Sequence, residues 1–227
     1  MGINIAIDGP SGAGKSTLAR KLAEKLGYIY VDTGALYRTI GLYVLRNKID
    51  PKEPDAVAAA LPKIDVSLRF INGEQHVYLN GEDVSADIRL HEVSQYASLV
   101  SAIPAVRQYL FDTQRKMAKE HDVIMDGRDI GTVVLPMADV KIFLTASAEV
   151  RARRRYNELL ERGQNVVYEK ILEDVNLRDE QDMNRSVAPL KPAQDSVIVD
   201  TSDCSFDESL AILYKTVKER LNNKNEC

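Results

Sequence analysis

The chain has 227 residues, a 44% apolar fraction and a net charge of −4, which suits one substantial α/β domain with insertions or two small domains sharing a core. The acidic balance argues against a general nucleic-acid or membrane-surface protein, because binding such polyanions takes an excess of Lys and Arg, although local arginine clusters still permit an anionic substrate. No run approaches the roughly 18 apolar residues of a spanning helix, no charged-then-apolar leader opens the chain, and Cys204 and Cys227 lack any metal-type spacing, so a cytoplasmic protein without disulfide scaffold or zinc site is expected.

Ile3 to Ile7 is a short apolar run that ends at Asp8 and reads as a buried parallel strand. Directly behind it, Gly9-Pro10-Ser11-Gly12-Ala13-Gly14-Lys15-Ser16 fills every fixed position of a G-x-x-x-x-G-K-S phosphate loop. Its glycines reach backbone angles closed to other residues, so successive N–H groups can turn inward around phosphate oxygens at a helix N-terminus. Lys15 adds a point charge for the outer phosphates, and the Ser16 hydroxyl is placed to coordinate Mg²⁺. An amphipathic stretch lined by Leu18, Leu22 and Leu26 follows, and Gly27 suits the left-handed position that stops it. The strand, loop and helix together point to triphosphate binding.

Tyr28 to Val31 reads as the second strand, and Asp32-Thr33-Gly34 after it serves equally as an N-cap for a helix near Ala35 or as part of a site. About ninety residues then precede the third strand, far more than one crossover helix needs, so an insertion is expected. Helical patterns near 34–48, 91–102 and 104–120, the last with Pro104 in its first turn, bracket a different texture. Val66 to Phe70, Gln75 to Leu79 and a piece beginning at Glu82 are separated by Asn72-Gly73 and Asn80-Gly81, strong hairpin signals that predict a small antiparallel meander. Asn47-Lys48-Ile49-Asp50 matches the N-K-x-D guanine-recognition pattern of GTP switches. Here, however, it ends an early helix and runs into Pro51, and no D-x-x-G accompanies it, so a helix stop is the better reading.

Val123 to Met125 is the third strand, and Asp126-Gly127-Arg128-Asp129-Ile130-Gly131 puts acid, base and glycine into one tight turn behind it. Asp126 is placed to hold Mg²⁺ directly or through water, Arg128 to meet a phosphate, and Asp129 to accept from a base or sugar. Val140 to Leu144 is the fourth strand; Ser147 to Arg162 and Tyr168 to Met183 read as helices broken at Gly163-Gln164-Asn165. Val197 to Val199 is the fifth strand, and a Ser205/Glu208 capping box opens a final helix striped by Leu210, Leu213, Tyr214, Val217 and Leu221. Strands alternating with helices predict a doubly wound, five-stranded parallel sheet with ligands at the carboxyl ends of its strands.

Arg38, Arg107, Arg128, Arg178 and Arg185 each fall near a strand end or on an inserted helix, and Arg151, Arg153, Arg154 and Arg155 crowd five positions. Phosphoryl transfer requires such fixed positive charge, because its transition state spreads negative charge over the phosphoryl oxygens, and guanidinium meets them in a planar, bidentate way. A nucleic-acid-binding helix around Arg151 to Arg155 is disfavoured by the overall acidity and by the lack of a second basic patch. His76, His91 and His121 have no metal-like spacing and are expected at the surface.

The phosphate loop, Asp32-Thr33-Gly34-Ala35-Leu36-Tyr37-Arg38, the turn Asp126 to Gly131 and Asn184-Arg185-Ser186-Val187-Ala188-Pro189-Leu190 together resemble the bacterial cytidylate kinases, nucleoside monophosphate kinases that act on CMP and dCMP with ATP. The match runs nearly end to end, and the meander resembles the insert that distinguishes the bacterial enzymes from the shorter eukaryotic UMP/CMP kinases. The resemblance implies a P-loop core from 1–33, 121–150 and 184–227, an NMP-binding region at 34–120 with the antiparallel insert at about 63–90, and a lid with its following helix at 151–183. It implies that Gly9, Pro10, Ser11, Gly12, Ala13, Gly14, Lys15, Ser16 and Thr17 hold the ATP phosphates, with Mg²⁺ on Ser16 and Asp126. Thr33 would belong to the substrate site. Arg38, Arg128 and Arg185 would surround the CMP phosphate and the group in flight, Ser98, Arg107 and Asp129 would read the cytosine edge, and Arg178 with Asp182 would hold the ribose.

Within the lid-like segment Arg151 to Glu169, Arg154 and Arg155 would come over ATP and join Lys15, Arg128 and Arg185 as catalytic groups, whereas Arg151 and Arg153 read as solvated charges. Some family members carry glycine where this chain has Ser16, so the hydroxyl on the metal is not essential to the family. A carboxylate facing the exocyclic amine of cytosine disfavours uracil, whose carbonyl would leave buried partners unpaired. A monomer whose partners are ATP and CMP or dCMP, with no nucleic acid and no membrane, is expected. Kinases of UMP, AMP or a small metabolite alcohol share the chemistry and are the nearest alternatives. Contact of the meander with the bound monophosphate is expected as its purpose.

Overall fold

The computed structural model describes residues 2–71, 74–161 and 163–225. In chain order its elements are β1 (Asn4–Asp8), α1 (Lys15–Leu26), β2 (Ile29–Asp32), α2 (Thr33–Arg46), α3 (Pro54–Ala60), β3 (Val66–Ile71), β4 (Glu74–Leu79), β5 (Glu82–Asp83), α4 (His91–Val100), α5 (Pro104–Glu120), β6 (Val123–Gly127), β7 (Val140–Thr145), α6 (Ala148–Glu161), α7 (Tyr168–Asn184), β8 (Val197–Asp200) and α8 (Phe206–Asn225). The five expected parallel strands form one sheet in the order β2-β6-β1-β7-β8. Ile5, Ala6 and Ile7 are fully buried because β1 is central, paired with β6 on one side and β7 on the other. That placement brings the loop leaving β1 beside the turn leaving β6, since Asp8 is in register with Gly127.

The chain divides into two compact units, one made of residues up to Tyr30 together with His121 onward, the other spanning Val31–Glu120. In the first, Leu18 and Leu22 of α1 pack with Ile5, Ile7, Ile124 and Ile142 of the sheet and with Leu213 and Val217 of α8. The expected stripes of both helices therefore face the sheet, which is what makes them helices in water. Gly27 stops α1 in the left-handed conformation at φ 74°, its N–H donating to Ala23 O. Ser205 and Glu208 make the reciprocal cap of α8, Ser205 N–H donating to Glu208 Oε2 at 2.8 Å and Glu208 N–H to Ser205 Oγ at 3.3 Å.

The second unit has its own core, including Leu36, Ile40, Val93, Val106 and Leu110. Gly41 lets α2 and α4 meet closely, for a Cβ there would lie 2.8 Å from Ala97 N. The meander is a three-stranded antiparallel sheet in the order β3-β4-β5, and Asn80 and Gly81, at φ 50° and 84°, make its second turn. Asn72-Gly73 lies outside the described residues, as do Arg162 and Cys227. The strand expected from Glu82 onward has two residues only, because Val84 and Ile88 turn into the core instead.

Two elements were not legible in sequence. Pro54 opens α3 and buries only Val57 and Ala60, too short a run for periodicity to speak. Behind the β6 turn, Ile130–Val134 forms one π-helical turn, with Leu135 N–H reaching Ile130 O at 2.7 Å. The N-K-I-D segment is a helix stop: Asn47 Nδ2 donates to Tyr43 O at 2.9 Å and Lys48 follows at φ 54°. His76 is less exposed than expected, its Nδ1 2.8 Å from Asp83 Oδ2; His121 is at the surface, and the His91 side chain lies outside the described residues. Among the described residues no helix is long and apolar enough to cross a membrane.

Candidate active site

In the first unit the phosphate loop closes over the C-terminal end of β1 and feeds α1. Gly9, Gly12 and Gly14 sit at φ 152°, 78° and 86°, as the motif requires. Gly9 is needed for space as well: a Cβ there would lie 1.9 Å from Leu144 O of the neighbouring strand. Pro10 and Ala13 are buried, Ser11 is half-buried, and Thr17 is exposed on the first turn of α1. Lys15 is buried, with Nζ donating to Pro10 O at 2.7 Å. Burial first and the nearby Arg128 charge second pull its pKa from 10.5 down to about 7, against the pull of Asp126, Asp182 and Asp8. This is an ammonium held short of counter-charge.

Ser16 Oγ donates to Asp126 Oδ2 at 2.9 Å, and Tyr30 hydroxyl donates to Asp126 Oδ1 at 2.8 Å. Ser16 comes from the first turn of α1 and Asp126 from β6, brought together because Ile7 and Asp126 are register partners. A hydroxyl and a carboxylate are hard oxygen donors of the kind Mg²⁺ takes while keeping several waters and substrate phosphates. Among the described residues no group of three or more His, Cys, Asp or Glu could hold a metal ion.

The turn behind β6 is the hub of an ion-pair network. Arg128 Nε donates to Asp182 Oδ2 at 2.7 Å, and Arg185 Nη2 donates to Asp129 Oδ1 at 3.2 Å. Arg185 Nε also holds Ala188 O at 2.6 Å, where the chain passes through φ 49°. Burial raises the Asp182 carboxyl, but Arg128, Arg178 and Arg185 together outweigh it, so the group stays below the usual carboxylate range. Arg128, Asp129, Arg178, Asp182 and Arg185 thus belong to one electrostatic cluster built from the turn behind β6 and from α7 and the residue that caps it. Sequence reading missed the piece that anchors it. The Asp8 carboxylate accepts Ile130 N–H and Gly131 N–H, each at 2.7 Å, fixing the turn to the strand that carries the phosphate loop. Its only signal was a polar residue ending an apolar run.

The four crowded arginines of α6 separate by contact. Arg154 Nη2 donates to Thr201 O at 2.9 Å and Nη1 to Ala13 O at 3.4 Å, so it lies against the phosphate loop. Arg155 pairs with Glu158 at 2.8 Å and is half-exposed. The expectation of a solvated charge holds for Arg153, which is exposed while lying over the Tyr168 ring at 4.1 Å, and fails for Arg151, which is buried, with 4% of its surface exposed.

In the second unit Asp32 both caps and pairs. Its Oδ1 accepts Ala35 N–H at 2.9 Å, and Oδ2 lies 2.7 Å from Arg38 and 3.3 Å from Arg89. Burial pushes the carboxyl up, yet the two arginines and the cap hold it below its ordinary value. Asp32 N–H also donates to Gln75 Oε1 of β4 at 3.0 Å, so the meander touches the start of α2. Neither Arg89 nor Gln75 was singled out in sequence, because a tertiary pairing leaves no local signal. Thr33 is buried in the first turn of α2, and Ser98 is half-buried on α4. Arg107 of α5 is 2% exposed, donates to Ser101 O at 3.3 Å, and lies 5.6 Å from the centre of the Phe111 ring.

A family model described as cytidylate kinase matches residues 5–219. A cytidylate kinase of Caldicellulosiruptor bescii is 49% identical over 223 residues, covering 96% of this chain and 99% of its own. One from Caldanaerobacter subterraneus subsp. tengcongensis is 49% identical over 224 residues, covering 99% and 97%. The crystal structure of an uncharacterized protein from Eubacterium ventriosum resembles the chain at a TM-score of 0.54 and 13% identity, covering 95% of this chain and 98% of that one, a likeness of fold alone.

Proposed function

Because the chain belongs to the cytidylate kinase family, we infer that it transfers the γ-phosphoryl group of ATP to CMP and dCMP, giving ADP with CDP or dCDP. The observation that carries the mechanism is the convergence on Lys15 of Arg128, Asp126 and Asp182 in a buried site. A phosphate chain would replace the missing counter-charge there. Residues 9–17 hold the ATP phosphates by backbone amides and Lys15. Ser16 and Asp126 would hold Mg²⁺, which when bound neutralises phosphate charge on the donor. Arg38, Arg128 and Arg185 hold the acceptor phosphate and the group in flight, and Arg154 and Arg155 cover ATP.

The acceptor phosphate is already anionic at neutral pH, so alignment and charge neutralisation set the rate and neither a protein nucleophile nor a strong base is needed. Ser98, Arg107 and Asp129 read the cytosine edge, Arg178 with Asp182 holds the ribose, and Thr33 lines the substrate site. Residues 1–33, 121–150 and 184–227 act as the core, 34–120 as the CMP-binding region and 151–183 as the lid with its following helix. Closure of the lid excludes water and suppresses ATP hydrolysis. The enzyme works as a cytoplasmic monomer.

A coupled assay of ADP formation against CMP, dCMP, UMP, AMP and shikimate tests this directly. CMP and dCMP are expected to turn over far faster than the others, by about 10²-fold or more over UMP if buried polar groups are left unpaired. UMP matching CMP would remove Asp129 and Arg107 from base recognition, and no activity with either cytosine nucleotide would overturn the assignment.

A further inference from the structure

Arg151 makes more contacts than a surface charge can use. It is buried on the first turns of α6, and its guanidinium reaches three separate segments. Nε donates to Ala146 O at 2.8 Å, behind β7. Nη1 donates to Ser11 O at 3.0 Å, inside the phosphate loop. Nη1 and Nη2 together grip the Asp179 carboxylate of α7, at 3.0 and 2.5 Å. The Arg151 and Asp179 side chains are only 5% and 13% exposed, so the fork is shielded from solvent and salt.

The loop is shaped to receive it. Gly12, at φ 78°, faces this residue so closely that an added Cβ would lie 3.1 Å from Arg151 Cβ. The second turn-forming glycine of the motif is therefore needed for contact with Arg151 as well as for its backbone angle. The fork also ties the loop to α7, three residues upstream of Asp182 and one downstream of Arg178.

We propose that Arg151 is a positioning residue for the donor nucleotide: by fixing the Ser11 carbonyl and α7 through one guanidinium, it holds the phosphate loop in its receiving shape and registers the α6–α7 pair to it. Arg151 touches no substrate in this role. Without the fork the Ser11 carbonyl loses this tether to α6, and loop amides that must converge on phosphate are less well aimed. A lysine keeps the charge but cannot span carbonyl and carboxylate in one plane.

The inference rests on the loop being the ATP site, so the readout is direct ATP and CMP binding to the full chain by calorimetry, alongside thermal melts. Arg151→Met should weaken ATP binding about tenfold or more and leave CMP binding within about twofold, with Arg151→Lys intermediate. Arg151→Met also strands a buried carboxylate and lowers the melting temperature. The double variant Arg151→Met with Asp179→Met removes both charges, so its melting temperature should recover while ATP binding stays weak. A merely structural pair would recover in both measurements. ATP binding within about twofold of the parent in either the Lys or the double variant overturns the proposal, and a parent that fails to bind ATP overturns the functional reading beneath it.

Discussion

At the residue scale, four arginines are each given a carboxylate. Arg128 with Asp182, Arg185 with Asp129, Arg38 with Asp32 and Arg151 with Asp179 are all wholly or partly buried pairs. Such pairing fixes the direction of each guanidinium, and under the proposed function Arg38, Arg128 and Arg185 are thereby preorganised for charge stabilisation in the transition state. Arg128→Lys keeps a positive charge near Asp182 and loses the planar fork. We expect kcat to fall about 10²-fold while the melting temperature moves by only a few degrees, roughly, because Arg178 and Arg185 still neutralise Asp182. Near-normal turnover would remove Arg128 from the site.

Asp8 gives a test of opposite character, since burial raises its pKa from 3.8 to about 6 against the two amide bonds that lower it. The folded state therefore binds the extra proton between those values. Asp8 favours the fold fully below 3.8 and loses that contribution as pH rises through about 6, roughly 3 kcal/mol in all. Urea unfolding of the parent and Asp8→Asn at about pH 4 and about pH 7 should show the parent's stability falling relative to the variant by about 1–3 kcal/mol. A difference independent of pH would contradict this assignment.

At the element scale, whether a segment was legible depended on length and period. Strong signals carried far: the five strands, the stripes on α1 and α8 and the Asn80-Gly81 turn all lie where apolar spacing and turn chemistry put them. What failed to show were elements whose reason is tertiary. α3 is seven residues, and the π-turn at Ile130–Val134 exists because Asp8 pulls two of its amides toward β1. The ties from the meander region to Asp32, through Gln75 and Arg89, are of the same kind. They suggest what the insert does, for it braces the residue that aims Arg38. Gln75→Ala combined with Arg89→Met should raise KM for CMP by about tenfold and leave KM for ATP within about twofold; an unchanged KM for CMP would separate the insert from substrate binding. Gly41→Ala forces α2 off α4 at Ala97, beside Ser98. Urea unfolding should show a loss of about 1–3 kcal/mol, and an unaltered midpoint would mean that the two helices part without strain.

At the scale of the whole molecule, the residues assigned to catalysis divide between two compact units. Lys15, Ser16, Asp126, Arg128, Asp129, Arg178, Asp182 and Arg185 belong to the unit with the parallel sheet, and Thr33, Arg38, Ser98 and Arg107 to the Val31–Glu120 unit. Sequence alone reached the glycine loop, because that motif is contiguous and its mechanism is backbone geometry. It reached the arginines as a group but not their partners, and it misjudged Arg151 because a crowded charge run looks the same whether it is solvated or buried. A net charge of −4 leaves anion binding to local groups, and the buried pairs supply fixed guanidinium donors, not a surplus of positive charge.

The account's central claim is that the phosphoryl group passes straight from one nucleotide to the other with the protein supplying position and charge. The stereochemical course at phosphorus tests it most directly, using ATP made chiral at its γ-phosphorus with isotopic oxygen and sulfur, and CMP as acceptor. A single in-line transfer predicts inversion of configuration in the CDP formed, whereas retention would require a phosphorylated protein intermediate and contradict the mechanism.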